Sequence, residues 1–194
     1  MQPDKLKTEI FTIPNLLSLF RLLLIPVYVI IYLNADSAMD YFVAAMILAV
    51  SCLTDMIDGK IARKFGMISN IGKILDPLAD KTTQFTLIIC LSLKYPILFM
   101  LITLFVIKEG FQLIAGFINL KRGIMLKGAL LTGKICTTVL FLTLILLVMI
   151  PQLPYHYVVT LTIVDILFMS VSFADYCITY AKRENKFQAI DKKA

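Results

Sequence analysis

Charge is scarce in this chain, and the scarcity excludes a whole class of folds. Asp, Glu, Lys and Arg make up 16% of its 194 residues, against 59% hydrophobic residues. Soluble domains are about 45–50% apolar, so a water-soluble globule is excluded. Histidine is nearly absent. The one copy, His156, falls in a connector and is assigned no chemistry. The few cysteines, Cys52, Cys90, Cys136 and Cys177, lie in or beside apolar runs without paired spacing. That argues against a disulfide framework or a zinc site. No internal repeat is visible. A cleavable leader is not expected, because the first apolar run carries Arg21 and no small-residue cleavage site follows it. The formal net charge of +6 does not indicate nucleic acid. The basic residues cluster at the ends of apolar runs, where they suit anionic lipid headgroups.

What the chain does have is six apolar runs, at about 14–33, 40–62, 72–95, 97–120, 128–150 and 156–180. Runs of roughly 20 residues match a hydrocarbon core of about 30 Å. The expected fold is all-α: a polytopic membrane protein with six transmembrane helices and a short N-terminal interfacial helix over 1–12. Residues 13–181 form one domain, and 182–194 are a polar, basic, frayed tail. Pro26 is expected to kink the first span, and Pro77 to bend the third or free a backbone carbonyl in it. Nearly all Lys and Arg fall in the N-terminus, the 60–73 loop, the 121–127 loop and the tail, while the alternate connectors hold only Lys94. The positive-inside rule then places both termini on the cytoplasmic side.

One run stands apart, Asp55 to Asp80, with Asp55, Asp58, Asp76 and Asp80 at the ends of two apolar segments. Ionisable side chains at membrane depth are costly and are functional candidates by default. Asp55 and Asp58 are spaced i, i+3, and Asp76 and Asp80 i, i+4, so each pair shares a helix face. Two such helices side by side aim four carboxylates into one pocket, where only cations between them relieve the repulsion. Gly72 lies on the face of Asp76 and Asp80, and Gly59 follows Asp58. Small residues allow close approach of a ligand. Arg63 offers a planar fork for phosphate oxygens. Hard cations such as Mg²⁺ bind carboxylates jointly with substrate phosphates. The ensemble suggests a nucleotide diphosphate site at a membrane surface. A four-acid cation carrier is the non-enzymatic alternative, but it has no need of the interleaved Gly, Ala and Arg. In the first span Asn15, Ser18 and Arg21 share one face, and Arg21 either snorkels to the interface or faces the pocket.

The residues spell D-x2-D-G-x2-A-R-x8-G-x3-D-x3-D, from Asp55 through Asp58, Gly59, Ala62, Arg63, Gly72 and Asp76 to Asp80. This resembles the signature of the CDP-alcohol phosphotransferase family at every fixed position, and six spans agree with that family's architecture. The resemblance implies that Asp55, Asp58, Asp76 and Asp80 hold divalent metal, Mg²⁺ or Mn²⁺, as two ions. It implies that Gly59, Ala62, Arg63 and Gly72, with Asn15 beside them, receive the CDP moiety. Asp80 is the implied base on an acceptor hydroxyl that attacks the β-phosphorus of a CDP-alcohol and releases CMP. A homodimer in a bacterial plasma membrane, with the site on the cytoplasmic side, is also implied.

IPNLLSLFRLLLIP at 13–26 and LDPLADK at 75–81 resemble the bacterial phosphatidylglycerophosphate synthase branch, which joins CDP-diacylglycerol to glycerol 3-phosphate. An anionic acceptor calls for cations, and the candidates are Lys134, Lys81, Lys121, Arg122, Lys127 and Lys108. Lys121, Arg122 and Lys127 also read as ordinary positive-inside loop charges. The branch tends to read G-K-x-K-T where this chain has Gly133-Lys134-Ile135-Cys136-Thr137, and Gln where it has Leu140. Phosphatidylglycerol as acceptor, giving cardiolipin, is therefore the nearest alternative, ahead of inositol phosphate or serine. Lys108 and Glu109 are expected to pair with each other or with neighbours, and Glu109 is open to a pocket role. Asp165 reads as a helix–helix hydrogen-bonding group, and Asp175 is left open.

Overall fold

A computed structural model of the chain describes residues 12–65, 72–121 and 130–191. The side chains of 13–14, 55–65, 73–74, 120–121 and 183–191 lie outside that description, as does the expected interfacial helix. The described residues are helical: α1 Ile13–Leu33, α2 Ala38–Phe65, α3 Gly72–Lys94, α4 Leu98–Lys121, α5 Leu131–Met149 and α6 Tyr155–Asp191.

Local chemistry sets the ends. Thr12 stands at the N-cap of α1, with proline at the first helical positions, where the missing N–H costs nothing. Asn34 closes α1, its Nδ2 donating to the Ile30 carbonyl at 2.7 Å. At the start of α2 the Asp40 carboxylate accepts from the Ser37 backbone N–H at 2.9 Å and from its hydroxyl at 2.8 Å. The Asp40 N–H reaches back to Ser37 Oγ at 3.3 Å, which is the reciprocal logic of a capping box. Proline-bearing turns at Tyr95–Pro96 and Pro151–Pro154 separate the later helices. Helix α3 continues through Pro77, so its ring removes one backbone bond without ending the helix.

Four helices, α1, α4, α5 and α6, are long and apolar enough to cross a bilayer. The described part of α2, Ala38–Thr54, is a shorter apolar stretch. The acidic run follows it: α2 ends in Asp55, Asp58, Lys60, Arg63 and Lys64, and α3 begins with Lys73, Asp76, Asp80 and Lys81. Among the described residues, four of the expected six spans are thus met on length and apolarity. The exposed surface is rich in large apolar side chains, among them Leu23, Ile30, Leu113, Ile114 and Phe117. A surface of that kind suits lipid, not water. The tail also differs from expectation. Residues 182–191 prolong α6, because Ala181-Lys-Arg-Glu-Asn-Lys-Phe-Gln-Ala-Ile contains no Gly or Pro and mostly good helix formers.

The chain divides into two compact units, one of residues 1–94 and 144–153, the other of 95–143 and 154–194. In the first, α1 packs on both α2 and α3. Its core holds Tyr28, Ala44, Leu48, Ala79, Leu87 and Leu91. At one end Tyr32 stacks on Tyr28, with ring centroids 5.6 Å apart, and meets Tyr41 edge-on at 5.7 Å. Lys94 lies over the Tyr41 ring, 4.7 Å from its centroid. In the second unit α4 packs on α6. Phe111 sits between Phe173 and Tyr180, edge-on to both at 5.4 and 5.8 Å. Among the described residues, side-chain bonds join α5 to α6: Thr132 donates to Asp175 at 2.6 Å, and Thr143 to Asp165 at 3.2 Å. As the donors advance along α5, the acceptors retreat along α6, so these helices run antiparallel.

Candidate active site

Helix α1 is the wall on which the first unit's site is built. Its inward face carries Asn15, Ser18 and Arg21, all buried. The spacing i, i+3, i+6 keeps the three within one stripe. Arg21 is only 2% exposed, so it faces inward and does not snorkel. It lines a small cavity with Tyr28, Ser51 and Thr83, about large enough for one water.

The Gly72–Asp76–Asp80 face of α3 meets this wall. The Ser18 hydroxyl donates to Asp76 Oδ1 across 58 residues of sequence. Gly72 is buried at the start of α3, and Asp76 and Asp80 are each partly exposed. A carboxylate that accepts from a fixed hydroxyl has its rotamer set before any ligand arrives, while its second oxygen stays available. Ala79, on the neighbouring face, is fully buried, and Thr83 returns its hydroxyl to the Ala79 carbonyl at 2.8 Å.

Asp55, Asp58, Gly59, Ala62 and Arg63 all lie within the unbroken helix α2, and their side chains fall outside the described residues. Continuity through Phe65 keeps the i, i+3 relation of Asp55 and Asp58 real. Among the described residues, the contacts that assemble this unit are α1 with α2 and α1 with α3. The sequence reading set two acid-bearing helices side by side. The structure gives α1 to both as a shared partner, and Ser18 is the site residue whose role the sequence left unstated. Its signal was the Asn15-x2-Ser18-x2-Arg21 spacing. Among the described residues no three of His, Cys, Asp or Glu cluster, and of the four motif acids only Asp76 and Asp80 have described side chains. These two supply hard carboxylate oxygens that suit Mg²⁺-type cations.

The acceptor candidates separate clearly. Lys108 is 2% exposed and donates to Glu109 at 2.6 Å, so its charge is already paired. Lys81 is partly buried beside Asp80. Lys134 is exposed on the second turn of α5, and its ammonium meets no acid among the described residues. Lys121 is the last residue of α4 with its side chain outside the description, and Arg122 and Lys127 lie outside the described residues altogether. Cys136 and Leu140 sit on the buried face of α5 at 2% exposure each. Where the resemblance expected a second cation and an amide, this chain has an apolar stripe.

The fold and site define a multi-pass helical membrane protein with a carboxylate centre at the head of one helix, backed by a polar wall. The CDP-alcohol phosphatidyltransferase family matches residues 11–173, and the chain belongs to that family. A Mycobacterium tuberculosis protein named probable phosphatidylglycerophosphate synthase is 36% identical over 89 residues, which are 45% of this chain and 43% of that protein. The Escherichia coli CDP-diacylglycerol–glycerol-3-phosphate 3-phosphatidyltransferase is 42% identical over 71 residues, 37% of this chain and 38% of that one. A Schizosaccharomyces pombe cardiolipin synthase (CMP-forming)/mitochondrial hydrolase fusion protein is 45% identical over 91 residues, 46% of this chain and 14% of the fusion. The matched stretches thus span less than half the length of each relative.

Proposed function

We propose that this chain transfers the phosphatidyl group of CDP-diacylglycerol to an alcohol acceptor, foremost glycerol 3-phosphate, and releases CMP. The observation that carries the reading is the Ser18-to-Asp76 bond, which holds one acid of the complete eight-residue motif in a fixed rotamer. Asp55, Asp58, Asp76 and Asp80 would hold two divalent ions, Mg²⁺ or Mn²⁺. Bound there, the metal neutralises the diphosphate and stabilises the departing CMP. Gly59, Ala62, Gly72 and Asn15 admit the cytidine and phosphates, and Arg63 clamps the phosphate oxygens. Asp80 takes the proton from the acceptor hydroxyl. The acceptor oxygen forms its bond to the β-phosphorus as the bond to the CMP oxygen breaks, and CMP leaves with that electron pair. Lys134 receives the acceptor's phosphate, with Lys81, Lys121, Arg122 and Lys127 as further cations.

In this reading all six helices cross the membrane. Both termini and the acidic site face the cytoplasm of a bacterium, where CMP and a water-soluble acceptor come and go, and the protein works as a homodimer. A second reading, phosphatidylglycerol as acceptor, is favoured by the apolar Cys136–Leu140 stripe, since a lipid acceptor needs fewer cations. The test is an acceptor panel with purified protein and CDP-diacylglycerol: glycerol 3-phosphate, phosphatidylglycerol, inositol phosphate and serine, each with Mg²⁺ or with EDTA. CMP release is expected with glycerol 3-phosphate and Mg²⁺, and none with EDTA. Metal flux without CMP for any acceptor would instead make the chain a cation carrier.

A further inference from the structure

Everything around Lys134 fixes its backbone, and nothing described holds its side chain. Its N–H donates to the Leu130 carbonyl at 3.2 Å. Its carbonyl accepts two hydroxyls, Thr137 at 3.0 Å and Thr138 at 2.9 Å. The residue two positions earlier, Thr132, donates to Asp175 of α6 at 2.6 Å. The residue between them, Gly133, is buried against Tyr176. A methyl group at position 133 would lie 2.8 Å from the Tyr176 hydroxyl and 3.0 Å from its ring. Tyr176 is itself stacked on Tyr180, with centroids 6.4 Å apart. Two consecutive residues of α5 thus meet two consecutive residues of α6. Successive helical positions turn by 100°, so Thr132 and Lys134 point to opposite sides. Thr132, Gly133 and Cys136 pack inward, and Lys134 is left exposed.

Such an arrangement is more than one helix pair needs for cohesion. The Thr143–Asp165 bond already ties α5 to α6 in the second unit. A lysine is a compact charge on a flexible stem, so its reach is set by where its backbone is held. Anchoring the backbone is the way to aim it without a partner that would neutralise it.

We propose that Thr132, Gly133, Asp175 and Tyr176 form a latch that positions Lys134 for the acceptor's phosphate. This rests on the reading of Lys134 as the acceptor cation. The shared ligand chemistry is a phosphate anion, the monoester of glycerol 3-phosphate or the diester of phosphatidylglycerol. The assay is run in both arms, and kcat and KM are taken for each substrate in the arm that releases CMP. Thr132→Val removes the donor at constant shape. It is expected to raise the acceptor KM about tenfold, the worth of one charge-assisted hydrogen bond, while the CDP-diacylglycerol KM moves less than about twofold. Asp175→Leu, which has no acceptor at similar volume, serves as a second break of the same bond if the valine protein folds poorly, and Thr132→Ser is expected to behave as wild type. In a Lys134→Ala background Thr132→Val should add less than about twofold, because partners in one device are not additive.

Equal shifts in both KM values would overturn the latch, since they report a general loss of structure. An undiminished Thr132→Val effect without Lys134 would also overturn it. If Lys134→Ala alone leaves the acceptor KM unchanged, the acceptor reading fails and the latch with it. If Lys134→Ala raises that KM while Thr132→Val and Asp175→Leu are silent, the latch alone fails.

Discussion

The two units both bury ionisable side chains, and they treat them differently. In the unit of residues 95–143 and 154–194, described groups of this kind meet a neighbour on the same or the next helix. Lys108 pairs with Glu109, Thr143 with Asp165 and Thr132 with Asp175. In the unit of residues 1–94 and 144–153, the acids come in helical register on one face, one per turn. They are backed by a stripe of Asn15, Ser18 and Arg21 that touches more than one helix. A one-to-one pairing neutralises a group and ties helices together. A row of like charges on one face is stable only where cations relieve the repulsion. Position in the membrane is therefore not sufficient to mark a functional acid. What distinguishes the two regions is spacing, several acids on one face against single acids meeting single donors.

The largest expected effect breaks the comparison at the acidic row. Asp80→Asn should lower kcat for CMP release by about 10²–10⁴-fold, the usual worth of a general base, with the protein still folded. Asp165→Asn, the same change in the second unit, should keep kcat within about threefold. Replacing a buried charge by a neutral isostere is often nearly neutral. Side-by-side CMP release at saturating substrates decides it. A collapse of activity in Asp165→Asn with unchanged stability would erase the distinction.

The next effect concerns stability. Glu109→Gln leaves the ammonium of Lys108, 2% exposed, buried without its carboxylate. Removing one member of a buried pair typically costs about 3–5 kcal/mol. The double change Lys108→Met, Glu109→Gln removes both charges and should recover most of that loss. Thermal unfolding in detergent, read for the single and double variants, tests whether the pair is structural. A double variant that folds as well as wild type but releases no CMP would move Lys108 or Glu109 into the chemistry.

A smaller effect lies in the polar wall. Ser18→Ala deletes the hydroxyl on Asp76 and leaves the carboxylate to choose its own rotamer. Such an outer hydrogen bond is worth about 1–2 kcal/mol, so divalent metal should bind roughly tenfold more weakly. Mn²⁺ titration followed by electron paramagnetic resonance reads this without reference to turnover, and Ser18→Thr should restore it. If binding is unchanged in Ser18→Ala, the wall is packing alone.

Much of this contrast was legible in the chain, and what was not has a common cause. Apolar runs announced the helices, and the i, i+3 and i, i+4 spacings announced the faces of Asp55, Asp58, Asp76 and Asp80. Adjacent Lys108 and Glu109 were readable as a pair because no fold is needed to bring neighbours together. Periodicity names a face but not what lies across from it. Ser18 and Asp76 are 58 residues apart, and Thr132 and Asp175 are 43, so Ser18 stayed a polar residue on a stripe and Asp175 stayed open. The helical extension at 182–191 was missed for a different reason. Its residues favour helix by propensity, but they carry no apolar stripe, and the stripe is what a sequence reading detects.

The smallest expected effect tests the α5–α6 pairing from its other end. Thr143 donates to Asp165 Oδ1 at 3.2 Å, and Asp165 Oδ2 is buried with no partner among the described residues. If this bond only joins α5 to α6, Thr143→Val should cost about 1 kcal/mol, because interhelical hydrogen bonds in membranes average less than their aqueous reputation. The acceptor KM, CDP-diacylglycerol KM and kcat should all stay at wild-type values, unlike the tenfold acceptor shift expected at Thr132. The two threonines donate to carboxylates of the same helix, so their variants differ mainly in distance from Lys134. Thermal unfolding together with the acceptor KM of Thr143→Val therefore separates a helix tie from a positioning contact. An acceptor-specific defect at Thr143 would mean that the whole α5–α6 seam, and not its Lys134 end, governs the acceptor.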